Sequence, residues 1–199
     1  MKTAILVLMI GLLSLAGCSS SRQVERLDPA GTTDLSGKWN ETDARLVAEE
    51  MIDDCIKRPW LTNFVAAAGE MPVVTVGNIR NKTSEHIDTE IFTTDFEREL
   101  LNSGKVRFVA APEERNDVRE ERMDQDYWAS SETRKQLREE IGADFILLGS
   151  VKTITDQIEG KSTIFYQTDL ELINVETSEK VWIGTKKIKK GISQGKVDW

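Results

Sequence analysis

An apolar run from Ala4 to Leu13 sits directly behind Met1-Lys2 and is closed by Leu15-Ala16-Gly17-Cys18. It constrains the fold more than any other feature, because it takes the most hydrophobic stretch of the chain out of any globular core. Lys2 makes a short positive start, the apolar run follows, and small residues precede a cysteine, which is the layout of a cleavable export signal. The run is shorter than the roughly 20 apolar residues that cross a bilayer. Ala16 and Gly17 leave the backbone open to a peptidase, and the Cys18 thiol is the nucleophile that takes a diacylglyceryl thioether. Leu15 to Cys18 therefore reads as a bacterial lipobox, with an ordinary secretory signal as the alternative. On this reading residues 1–17 form a signal peptide that is removed, and Cys18 becomes the lipid-attachment residue, carrying chains such as palmitate.

Acyl chains contribute about 0.8 kcal/mol per buried methylene and two or more make an anchor stable. Ser19 stands where enterobacteria place Asp to retain a lipoprotein in the inner membrane, so the expected address is the outer membrane, facing the periplasm. Loss of Lys2 leaves 25 of the 26 Lys and Arg against 34 Asp and Glu. An acidic chain without clustered cations over most of its length is not a nonspecific nucleic-acid binder. With Cys18 on lipid, Cys55 has no internal disulfide partner, and its place on an apolar helix stripe predicts a packed thiol.

Residues 18–38 hold Ser, Gly, Thr, Asp and a single Pro29, the composition of a lipidated N-terminus and flexible tether. Residues 39–199 then form one globular domain. Ala44, Val47, Ala48, Met51 and Cys55 recur at helical spacing and predict a helix from Thr42 to Lys57, stopped by Pro59. Trp60-Leu61 and Phe64 to Ala68 make an apolar connection or a second short helix. Pro72 to Gly77 is a buried strand, and Asn78 to Thr83 is expected to be the loop at its C-terminal end. A helix from Asp88 to Ser103 follows, with Ile91, Phe92, Phe96, Leu100 and Leu101 facing inward and Gly104 as its stop. Val106 to Ala110 is a second strand.

Pro112 to about Asp126 is a charged surface helix, interrupted by Tyr127-Trp128. Ser130 or Ser131 then caps a helix to Gly142 that turns Leu137 and Ile141 inward. Phe145 to Gly149 is apolar on both faces, as in a central strand. Ile164, Tyr166, Thr168, Leu170 and Leu172 alternate with polar residues, as in a strand buried on one side, and Val181-Trp182-Ile183 opens the last strand. The expected fold class is α/β (α+β), with a mixed sheet of about five strands and helices on one face.

Catalytic chemistry is mostly missing from the chain. There is no glycine-rich phosphate loop, no nucleophile elbow and no His pair at metal-ligand spacing, so no cofactor, metal or small-molecule substrate is expected. His86, the single histidine, reads as a surface turn residue. Ser193-Gln194-Gly195-Lys196 satisfies S-x-x-K, but it lies between glycines and lacks the companion motifs of penicillin-recognising enzymes. Lys186, Lys187, Lys189, Lys190 and Lys196 make the C-terminal end basic, either to guard an edge strand or to dock an acidic partner. The polar string Asn78, Arg80, Asn81, Lys82 and Thr83 is the candidate partner-binding site, since loops on rigid scaffolds carry binding. The competing account is that Asn81 and Thr83 satisfy the backbone of a turn.

Val73-Val74-Thr75-Val76-Gly77-Asn78-Ile79-Arg80-Asn81-Lys82-Thr83, read together with Leu100-Leu101-Asn102-Ser103-Gly104-Lys105-Val106-Arg107-Phe108-Val109, resembles the LpoB family of penicillin-binding protein activators. Three further pieces fit in order: Asp34-Leu35-Ser36-Gly37-Lys38-Trp39-Asn40, Gly142 to Gly149, and Val175 to Trp182. The resemblance covers residues 34–190 and the lipobox. It implies a fold similar to the N-terminal domain of TolB and a non-enzymatic outer-membrane lipoprotein. Its partner would be a class A penicillin-binding protein, a bifunctional peptidoglycan synthase of the inner membrane. The chain departs from well-known members in its tether, which is short and poor in proline. The alternative is a lipoprotein subunit of the curli-secretion type that assembles a pore. That role calls for long alternating strands, which the sequence displays once, at Ile164 to Asn174.

Overall fold

A computed structural model describes residues 23–28, 31–133 and 140–193. The lipobox, Cys18, Leu137 and Gln194 to Lys196 lie outside the described residues. The chain divides after Gly31, and the second unit, Thr32–Trp199, holds all the secondary structure described below.

Helix α1, Glu41–Cys55, starts where the expected helix does because Asn40 and Asp43 form a reciprocal capping box. The Asn40 side chain accepts from the Asp43 N–H (3.1 Å), and Asp43 Oδ2 accepts from the Asn40 N–H (3.0 Å). Ala44, Val47, Ala48, Met51, Ile52 and Cys55 are its buried stripe. Pro59 opens α2, Pro59–Ala68, so the apolar connection is a helix. Trp60 and Phe64 pack edge-on against Phe145, with centroids at 5.1 and 5.3 Å.

Helix α3, Thr89–Asn102, buries Phe92, Phe96 and Leu100, and Gly104 at φ 63° follows its end as expected. Its apolar face is narrower than the sequence suggests, because Ile91 and Leu101 are 59% and 58% exposed. Helix α4, Pro112–Trp128, has no buried residue and runs through Tyr127 and Trp128 rather than being interrupted there. The expected helix to Gly142 is not seen in its described portions. Residues 131–133 form a turn, residues 140–143 are irregular, and Ile141 is exposed instead of facing inward.

The five strands are β1 Val73–Lys82, β2 Arg107–Phe108, β3 Phe145–Ile158, β4 Lys161–Asn174 and β5 Lys180–Ser193. They form one mixed sheet in the order β2-β1-β3-β4-β5, with β1 parallel to β2 and β3 and the remaining pairs antiparallel. Helices α1, α2 and α3 cover one face, where Leu147, Val151, Leu170, Leu172 and Trp182 join the helix residues in a single core.

Two departures from the sequence reading decide what the other face presents. First, Asn78 to Lys82 is not a loop but the second half of β1, paired with β3 through Lys82 opposite Lys152. A one-residue bulge makes this possible. Val76 lies opposite Leu147 and Ile79 opposite Gly149, so three steps on β1 match two on β3. The extra residue reverses the alternation. Ile79 therefore reaches the core at 2% exposure while Arg80 and Lys82 point to the uncovered face. Second, β3 runs far past the expected Gly149, and β5, of which only the opening was expected, alternates over its whole length.

Candidate functional site

Pairing across the sheet fixes which side chains share the other face, which is uncovered in the sense that no helix among the described residues covers it. Lys82 lies opposite Lys152, Lys152 opposite Gln167, and Gln167 opposite Lys187, giving one row across four strands. The adjacent row is Arg80, Ser150, Asp169 and Thr185. Leu148, Glu171 and Ile183 lie beyond it, and Lys189, opposite Phe165, borders the other side. A shallow depression of about 430 Å³ is lined by Asn78, Arg80, Lys82, Lys152, Asp169 and Ile183, among others.

At the centre, Asp169 accepts from Lys152 Nζ, Gln167 Nε2 and Thr185 Oγ1, each at 2.8 Å. Partial burial pushes the Asp169 carboxyl up, but these three donors outweigh it and hold the group below the usual carboxylate range. Glu171 is paired with Lys180 at 2.7 Å. Asp169 and Glu171 thus have cations of their own, whereas Asp156, farther along β3 on the same face, has none among the described residues. Arg80, Lys82, Lys187 and Lys189 have no ion-pair or hydrogen-bond partner among the described residues.

The basic C-terminal cluster is divided by the alternation of β5. Lys186 and Lys190 point to the helix side, where Lys186 bonds Glu50 on α1. Lys190 Nζ donates to Asp34 Oδ1 (2.6 Å), Asp43 Oδ2 (2.6 Å) and the Lys38 carbonyl (3.0 Å). Burial lowers the Lys190 pKa, and the two carboxylates more than reverse this, so it lies above its ordinary value. The clamp holds the last part of the stretch read as a tether. At the same place Gly37, at φ 71°, passes so close to Ile192 that a Cβ there would lie 2.6 Å from its side chain.

The five residues singled out in sequence do not act as one string. Asn78 is exposed beside the bulge, and Arg80 and Lys82 lie on the uncovered face. Asn81 and Thr83 build the following turn. The Asn81 amide donates to the Glu85 carbonyl (2.8 Å) and its oxygen accepts from the Thr83 N–H (2.9 Å), while Thr83 Oγ1 accepts from the Glu85 N–H (3.0 Å). That turn positions Glu85, whose carboxylate accepts from Tyr166 O–H (2.6 Å) and the Trp39 N–H (3.1 Å). Burial, and then Glu85, push the Tyr166 phenol up. Glu85 was not signalled by the sequence. Its role depends on contacts with Tyr166 and Trp39 that are remote along the chain.

His86 is exposed just before α3. Cys55 is buried, and burial pushes its thiol up to about 12, so it is a packing group. Ser193 is the last residue of β5, opposite Lys161, in strand rather than on a helical turn. Among the described residues no cluster of His, Cys, Asp and Glu could hold a metal ion.

A family model described as peptidoglycan-synthase activator LpoB matches residues 43–188. A search of curated proteins gives no match. Among solved structures, the LpoB C-terminal domain from Salmonella enterica is 19% identical, with 65% of this chain and 93% of that one covered and a TM-score of 0.35. The solution structure of Escherichia coli LpoB is 14% identical, covering 90% of this chain and 87% of that one, with a TM-score of 0.38. Lipoprotein GNA1162 from Neisseria meningitidis is 15% identical over 63% of this chain and 88% of that one, with a TM-score of 0.37. The family match runs from the capping box of α1 to the lysines of β5, and the chain belongs to the LpoB family of peptidoglycan-synthase activators.

Proposed function

We propose that this chain is a lipid-anchored periplasmic regulator, held in the outer membrane by acylated Cys18, that binds and activates a class A penicillin-binding protein. The family match over residues 43–188 carries this reading. It acts by binding and performs no chemistry of its own, in keeping with a buried, protonated Cys55 and a Ser193 at a strand end.

The compact unit begins at Thr32. Residues 19–31 lie between it and Cys18, and a chain of that length spans roughly 20 Å on average and about 45 Å when straight. Such a reach suits a synthase that projects well out from the inner membrane.

The pore-forming alternative gains one point, since β5 alternates as long as β4. It loses a larger one. A lipid-facing barrel wall is apolar, and a charge at mid-bilayer costs about 2–4 kcal/mol. The uncovered face here carries Lys82, Lys152, Lys187 and Lys189.

Capture tests the proposal. The acylated chain is used to retain proteins from detergent-solubilised envelope, and the eluate is labelled with a fluorescent β-lactam and identified by mass spectrometry. A labelled class A synthase is the expected result. Its absence, with full-length acylated bait present, overturns the reading.

A further inference from the structure

We propose that the synthase docks on the uncovered face of the sheet, through Arg80, Lys82, Lys187 and Lys189, and that the surface it brings there is acidic. This rests on the synthase-activator reading and adds the location and charge of the contact.

Three observations carry it. The first is charge segregation. The whole chain has a formal charge of −8, yet one face gathers unpaired cations from β1 and β5, 105 residues apart at Lys82 and Lys187. Strand spacing puts those two about 14 Å apart. The second is an electrostatic cost left in place. Lys82 and Lys152 are directly opposite each other, an arrangement that destabilises a sheet. Only Lys152 is relieved, by Asp169. Guarding of an edge strand does not explain Lys152, since β3 lies between β1 and β4. The third is the apolar content among the cations. Ile183 is 63% and Ile154 68% exposed on this face, and Leu148 is half-buried.

A flat surface mixing apolar spots, hydrogen-bonding groups and free cations has the composition of a protein contact. An anionic lipid surface is less well matched, because Asp169 and Glu171 would face its phosphates from the middle of the patch. Carboxylates of a protein can instead be placed opposite the free cations alone. The four rows span roughly 14 by 20 Å, enough for the buried centre of an interface of standard size, about 800 Å² per partner.

The test measures binding of the mature acylated chain, in detergent, to each purified class A synthase of its organism. Arg80→Glu with Lys82→Glu and, separately, Lys187→Glu with Lys189→Glu should each weaken binding by about tenfold or more, because they set like charges across the contact. Wild-type affinity should fall as salt rises from about 50 to 300 mM. Lys187→Gln with Lys189→Gln should fall between wild type and the reversal, and keeps the test valid if a reversed chain folds poorly. Glu120→Lys with Glu121→Lys on α4 should leave binding within about twofold, as for exposed substitutions away from a contact. If wild type binds and stimulates a synthase and the reversals do so equally, the docking face is overturned while the activator reading stands. If wild type binds no class A synthase, both fall. If the reversals lose only co-sedimentation with phosphatidylglycerol vesicles and keep synthase affinity, the face belongs to lipid and the proposal is overturned.

Discussion

Replacing Lys190 by Met should destabilise the domain through one identifiable mechanism. The side chain keeps its length but loses the charge that joins Asp34, Asp43 and the Lys38 carbonyl. Lys190 is 10% and Asp43 6% exposed at the side chain, whereas Asp34 is 47% exposed. Breaking a buried pair from one side costs about 3–5 kcal/mol, because the other charge is stranded. The lower end applies here, since Asp43 keeps the Asn40 N–H and Asp34 can turn to water. At about 2–4 °C per kcal/mol for a domain of this size, Tm should fall by roughly 6–12 °C. Lys187→Met, on the uncovered face, should stay within about 0.5 kcal/mol of wild type.

The pH dependence has a defined sign. The bond from Lys190 lowers the Asp34 pKa from its ordinary 3.8, so its stabilisation is present above that value and is lost as pH falls through the lower folded one. Lys190 is raised from 10.5, so its contribution is present below that value and is lost as pH rises through the higher folded one. The difference between wild type and Lys190→Met should therefore be largest between about pH 4 and 10.5 and shrink outside that window. Thermal melts followed by circular dichroism at several pH values measure it. Equal melting of Lys190→Met and Lys187→Met at neutral pH would refute the clamp.

Glu85→Ala should cost about 1–3 kcal/mol, because the buried Tyr166 hydroxyl and the Trp39 N–H lose their acceptor. Melting and near-ultraviolet circular dichroism check this. Cys55 should resist alkylation in the folded chain at pH 8 and react fully in denaturant, in line with its burial and raised pKa. Ser193→Ala should leave synthase binding unchanged, and Ser193 should not be labelled by a fluorescent β-lactam.

Helices α1 and α3 and strand β4 were legible in the sequence because each is buried on one side and exposed on the other. Met51 and Cys55 on α1, or Leu170 and Leu172 on β4, then mark the period directly. The second half of β1 was not legible. The bulge after Val76 changes which residues face the core, so Arg80 and Lys82 look like the start of a loop when the earlier alternation is extended. The far half of β3 was missed for another reason. Ile154 and Thr155, on opposite faces, are both exposed there, and no contrast remains to read. The candidate site was half visible. Both of its cationic ends, Lys82 and Lys187, were noticed separately, and only the pairing of β1, β3, β4 and β5 brings them to one face.

The central claim is that this chain activates a peptidoglycan synthase by binding it. The most direct measurement is the glycan-polymerisation rate of the purified class A synthase as the mature chain is titrated in. A rise that saturates with the chain's concentration, and that Arg80→Glu with Lys82→Glu shifts to higher concentration, is the predicted result. A rate that stays unchanged at saturating, correctly folded wild-type chain would contradict it.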